Sequence, residues 1–157
     1  MQYSRYLPGG WLQALSVITG LTRLVLASAG DGHSLGDDAA AALARSCRQL
    51  RHLDLNECNL GSGAWLDEVR RLTQLTQLQL QGNAGVTRQG LMQLTGLRQL
   101  QQLGVDTWGC QGGVTRADVR EFWRALTGST SGEWGCGAVK DNGGRQWTRL
   151  NKKKRRG

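Results

Sequence analysis

The sequence predicts an α/β chain built from about four repeated strand–turn–helix units and closed by a tail of different character. Three observations predict it. The hexads LTRLVL (21–26), LRHLDL (50–55), LTQLQL (75–80) and LQQLGV (100–105) share one apolar spacing, and their first leucines, Leu21, Leu50, Leu75 and Leu100, lie 29, 25 and 25 residues apart. Self-similarity at such a period is the mark of a repeat architecture. Each hexad follows apolar residues at helical spacing, and the composition changes after residue 127.

The elements follow in chain order. Tyr3, Tyr6 and Leu7, with the Pro8-Gly9-Gly10 turn, are placed to fold over the first unit. Leu12, Leu15 and Ile18 lie on one helical face before Leu21. Within each hexad the final x-L-x-L has the period of a strand with one buried face. SLGDDAAAALA, NLGSGAWLDEV, GVTRQGLMQL and GVTRADVREFW then repeat one turn: an apolar residue, small or polar helix-starting residues, and an apolar helical face. Those faces carry Ala39, Ala40, Leu43 and Cys47; Trp65, Val69 and Leu72; Leu91, Leu94 and Leu97; and Val119, Phe122 and Leu126. The acid pairs Asp37-Asp38 and Asp67-Glu68 fall near helix N-termini, where they suit the helix dipole. A fifth hexad would put Gly128, Ser131 and Glu133 on core positions, which cannot fill a leucine core, so the sheet is expected to stop there. Residues 128–157 hold seven glycines and few branched aliphatics, a composition expected to stay disordered. The domain division is a repeat array over 1–127 with partial caps and a Gly-rich, basic tail over 128–157.

The pattern resembles the leucine-rich repeat family over about residues 11 to 127. CRQLRHLDLNEC (47–58) is similar to the cysteine-containing subtype of F-box proteins, as is the helix start VTRQGLMQL, whereas LGDDAAAALA is similar to the ribonuclease-inhibitor subtype. The resemblance implies a short solenoid with parallel strands on a concave face. It also implies that Cys58 and Asn83, both ninth from the first leucine of their units, occupy a buried ladder where the chain leaves the strand. Cys47 then packs at a helix end, and both cysteines are structural. A ubiquitin-ligase receptor of the F-box type needs a ligase-binding motif of some forty residues, whereas about twenty precede the first strand here. The resemblance therefore carries over only the recognition half, as a substrate-recognition scaffold or a fragment of a larger repeat protein.

Little in the chain points to catalysis or to a metal. There is no C-x-x-C, and His33 and His52 have no ligand spacing to a cysteine pair. GEWGCGAVKDNGG (132–144) lacks the G-K-[ST] ending of a phosphate loop. Neither an enzymatic activity nor a cofactor nor a small-molecule substrate is expected. WLQALSVITGLTRLVLASAG ends in a small-x-small triplet, but Arg23 interrupts the apolar run that a secretion signal requires. No 18-residue apolar run spans a membrane. Four reduced thiols suit a cytoplasmic or nuclear protein.

The net charge of +8 is unevenly placed: seven basic residues and no acid lie between Arg145 and Arg156, leaving 13 basic and 12 acidic residues in the body. Two surfaces remain as candidates. The resemblance places on the concave face Arg23, Val25 and Ser28; His52, Asp54, Asn56 and Glu57; Gln77, Gln79 and Gln81; and Gln102, Asp106 and Thr107, with Trp108 at one rim. This polar face is expected to bind a protein or peptide, with His52, Asp54 and Gln79 at its centre. The second surface is the tail run Lys152, Lys153, Lys154, Arg155 and Arg156, which resembles a nuclear-import signal. It is the alternative candidate, drawing a nuclear or RNA-associated protein to nucleic acid or to an import receptor.

Overall fold

The computed structural model describes residues 20–27, 37–107 and 113–128, together with the strands at 134–138 and 145–149. In chain order these form β1 (Arg23–Val25), α1 (Asp37–Ser46), β2 (His52–Asp54), α2 (Leu66–Val69), β3 (Gln77–Gln79), α3 (Arg88–Gln93) with a 3-10 turn at Leu94–Gly96, β4 (Gln102–Val105), α4 (Arg116–Thr127), β5 (Trp134–Ala138) and β6 (Arg145–Arg149). The architecture is α/β. Strands β1 to β4 lie side by side and parallel, joined through the helical segments.

The hexad spacing explains the sheet. Leu24, Leu53, Leu78 and Leu103 pair in register across the four strands and are all buried. Leu26, Leu55, Leu80 and Val105, two residues on, form a second buried row. Leu50, Leu75 and Leu100 are fully buried ahead of their strands, while Leu21 is partly buried against the same core. Alternation leaves the residues between them on the opposite face. The backbone repeats with the sequence: Arg51, Thr76 and Gln101 each donate a 2.8 Å N–H bond to Thr22, Arg51 and Thr76 of the preceding unit. The next residue of each strand, His52, Gln77 and Gln102, donates to the same carbonyl at 3.0 Å.

The helical segments close the other side of the core. Ala40, Leu43, Ala44 and Cys47 are buried from the first; Trp65, Leu66, Val69 and Leu72 from the second; Leu91, Leu94 and Leu97 from the third; and Val119, Phe122, Trp123 and Leu126 from the fourth. Helix α2 is a single turn, and the third segment tightens into its 3-10 turn, so neighbouring units pack with little helix between them. Thr87 caps α3 by accepting from Gly90 N, and Thr115 forms a capping box with Asp118 at the start of α4. Gly128 ends α4 in the left-handed region at φ 67°, which glycine adopts without a Cβ penalty. Arg88 ties α3 to α4 through Asp118 (3.0 Å) and Glu121 (2.9 Å).

The structure corrects the expectation for 134–138 and 145–149 within the tail, which are strands. The sheet does not stop at β4: β6 pairs antiparallel with β4, and β5 with β6, giving the order β1-β2-β3-β4-β6-β5. Without a neighbour, β4 would present a row of unpaired N–H and C=O groups. The segments WGCGA and RQWTR satisfy that edge by backbone pairing, which requires no leucine core. Helix α4 ends at Thr127, so the change from parallel to antiparallel pairing follows that position. The first helical face (Leu12, Leu15, Ile18), the N-terminal residues, Ser28, Trp108 and Lys152 to Arg156 lie outside the described residues. Among the described residues no helix is long and apolar enough to cross a membrane.

Candidate functional site: the polar strand face

Register places the candidate residues in rows. Arg23, His52, Gln77 and Gln102 are consecutive partners at the start of β1 to β4. Val25, Asp54, Gln79 and Gly104 form the next row, two residues on along the same face. Asn56, Gln81 and Asp106 follow beyond the strand ends. All ten candidates are described, and the six on β1 to β4, Arg23, His52, Asp54, Gln77, Gln79 and Gln102, share one side of the sheet.

The rows differ in what they leave available. In the first, Arg23 is exposed and His52, Gln77 and Gln102 are half-buried. His52 Nδ1 donates to Gln77 Oε1, linking two strands. In the second, Asp54 Oδ1 accepts from Asn56 N at 3.1 Å. Burial pushes the Asp54 carboxyl above the usual carboxylate range, against the opposing pull of the Asn56 N–H, His52 and Arg23. Gln79 is only 9% exposed, a correction to its expected place at the centre of an open face. The cause is Gly104 in the adjoining strand. A Cβ on Gly104 would collide with Gln79 Oε1 and fall 3.5 Å from Gln81 Cδ, so both amides lie over the bare backbone of β4.

The third row is committed to the turns. Asn56 Oδ1 accepts from Gln81 N at 2.7 Å, and Asp106 Oδ2 accepts from Gly82 N at 2.5 Å. Each side chain thus satisfies the backbone of an adjacent unit. Glu57 is exposed, its backbone at φ 55° donating to Gln81 O. The usable face is therefore narrower than expected: Arg23, His52, Gln77 and Gln102, with Asp54 behind them.

Beneath the turns lies the ladder. Asn83 Oδ1 accepts from Cys58 N and Leu60 N, both at 3.1 Å. Its Nδ2 donates to Leu55 O (2.8 Å), Leu80 O (3.0 Å) and Gln81 O (3.2 Å). Cys58 Sγ donates to Leu26 O of the unit before, at 3.2 Å. Burial, with the charges of Asp54 and Glu57 added, pushes the Cys58 thiol up to about 12, and burial raises Cys47 as well. Both thiols are free and buried. Among the described residues no group of three or more His, Cys, Asp or Glu side chains is arranged to hold a metal ion. Compared with known proteins, the chain matches no protein-family model and no curated sequence.

Proposed function

We propose that the chain is a leucine-rich-repeat solenoid acting as a non-catalytic protein-interaction module, whose polar strand face takes an extended segment of a protein or peptide partner. The observation that carries this reading is the first row. Four hydrogen-bonding side chains, Arg23, His52, Gln77 and Gln102, stand on adjacent strands in continuous register with no core residue among them. Strands about 4.8 Å apart put these groups within reach of one partner segment. The rows behind and below are fixed by Asp54, Asn56 and Asp106, so the face is preorganised and a partner does not have to order it. The cysteine and asparagine positions further support the repeat reading, since they bond neighbouring units at equivalent turns.

The test is capture of partners on the immobilised full chain, with a His52→Ala/Gln77→Ala variant alongside. A partner retained by the parent chain and lost from the variant supports the reading. Equal retention on both contradicts it.

A further inference from the structure

Helix α4 carries two flanks of opposite charge. At about 100° per residue, Asp118 and Glu121 fall to one side of its buried face, and Arg116, Arg120 and Arg124 fall to the other. The acids meet Arg88 of α3, at 3.0 Å and 2.9 Å, so they mark the flank turned toward the preceding unit. The arginines occupy the flank turned away from it. They recur at every fourth residue, about 6 Å apart along the axis and drifting by about 40° per step, which makes one file along the helix. All three are exposed, and among the described residues none makes an ion pair.

Helix stability does not account for this file. Arg124 lies in the last turn and suits the helix dipole, but Arg116 lies in the first turn and opposes it. Like charges four residues apart on a helix repel, and no acid is interleaved on this flank. Elsewhere the helical layer is laced by arginine–acid pairs of one sense. Arg45 of α1 reaches Glu68 of α2 (3.8 Å), and Arg88 of α3 reaches Asp118 and Glu121 of α4. In each, the earlier helix supplies the guanidinium and the later one the carboxylate. Helix α4 offers three guanidiniums, yet among the described residues the helical layer ends with it, while the sheet continues through β6 and β5. We propose that this flank docks an acidic helix of a partner protein, lying beside α4 as the next member of the helical layer, with carboxylates at every fourth residue meeting Arg116, Arg120 and Arg124.

The spacing selects a helix among polyanions. Two helices side by side share one rise per residue, so carboxylates at i, i+4 and i+8 stay level with the three arginines. Guanidinium groups take carboxylates through paired donors. A nucleic-acid strand would meet the same charges, but the exposed neighbours of the file, Ala117 and Gly128, offer no aromatic surface on which a base could stack. The polar strand face lies on the other side of the sheet, so this surface does not rest on the reading given above.

Fluorescence anisotropy on the full chain tests the proposal, with a labelled helical peptide of about 18 residues bearing glutamates at every fourth position along one face. The Arg116→Ala/Arg120→Ala/Arg124→Ala variant is expected to bind roughly tenfold more weakly at low salt, the size that three exposed ion pairs supply together. Arg120→Ala alone should weaken binding in the same direction while its melting temperature holds or rises, because two repulsive pairs are relieved. His52→Ala/Gln77→Ala should leave peptide binding unchanged, which separates this flank from the strand face. Affinity unaltered by the arginine variants, or equal binding of the same peptide with glutamine at the glutamates, would overturn the proposal. So would a melting temperature lowered by Arg120→Ala, which would assign the file to the fold, or tighter binding of an oligouridylate than of the acidic peptide.

Discussion

Asn83 Oδ1 accepts the backbone N–H of Cys58 at 3.1 Å, joining two turns 25 residues apart in sequence. The same side chain reaches four further backbone groups, including Leu60 N and Leu55 O of the preceding unit. Asn83 is 8% exposed, so these groups have little access to water once it is removed. Asn83→Ala is expected to cost about 3 kcal/mol or more, because several buried partners lose their bonds together. Urea denaturation measures this. A loss under about 1 kcal/mol would mean that the ladder is not what holds these turns.

The thiol beside it behaves as a packed apolar group. A native value of about 12 keeps Cys58 protonated at neutral pH. Alkylation should therefore be slow in the native chain and rapid in urea, since the thiolate is the reactive form. The native thiol lies above its unfolded value, so its contribution to stability is intact below about pH 9 and declines as pH rises beyond it. Cys58→Ala should lower stability by roughly 1 kcal/mol near pH 7 and flatten that alkaline decline. Zinc bound stoichiometrically and lost in this variant would contradict the packing account.

At α4 the pH dependence has the opposite sense. The Thr115 hydroxyl and backbone N–H, with Arg88 beside them, hold the Asp118 carboxyl below the usual carboxylate range. A depressed carboxyl stabilises the fold above its unfolded value and loses that contribution as pH falls through its native one. Asp118→Asn should cost about 1 kcal/mol at neutral pH, and the gap to the parent chain should close as pH falls below the usual carboxylate range. Thermal melts at several pH values read the difference. A gap that persists in acid would place the effect elsewhere than in the carboxylate.

Gly104→Ala separates the architecture of the face from its stability. The added methyl meets the end of the Gln79 side chain, which is free to swing aside. The fold should change by less than about 1 kcal/mol while the Gln79 amide moves into solvent. Side-chain amide resonances of Gln79 and Gln81 should shift in NMR spectra. Unchanged resonances would mean that the amides do not lie over Gly104.

Much of the scaffold is legible in the residues themselves. Leucine spacing marks the strand rows and most of the buried helical positions, because one period sets both burial and register. The ninth positions, Cys58 and Asn83, come instead from the resemblance to leucine-rich repeats, and both are buried. The fate of individual polar side chains is not. Alternation puts Gln79 on the outer face, but its burial depends on a glycine 25 residues away in the next strand. Asn56 and Asp106 look like surface groups until the neighbouring unit supplies Gln81 N and Gly82 N. The β5–β6 pair escapes a search for leucines because backbone groups at a sheet edge accept a strand of many compositions.

The strand face is the centre of the proposed function, and affinity for a captured partner tests it most directly. Isothermal titration of that partner would compare the parent chain, His52→Ala/Gln77→Ala and a deletion of 151–157 at the same salt. The face variant should bind weaker by about 1–3 kcal/mol with its melting temperature preserved, while the deletion should retain nearly full affinity. The reverse, a silent face variant and an essential basic segment, would contradict recognition through the strands.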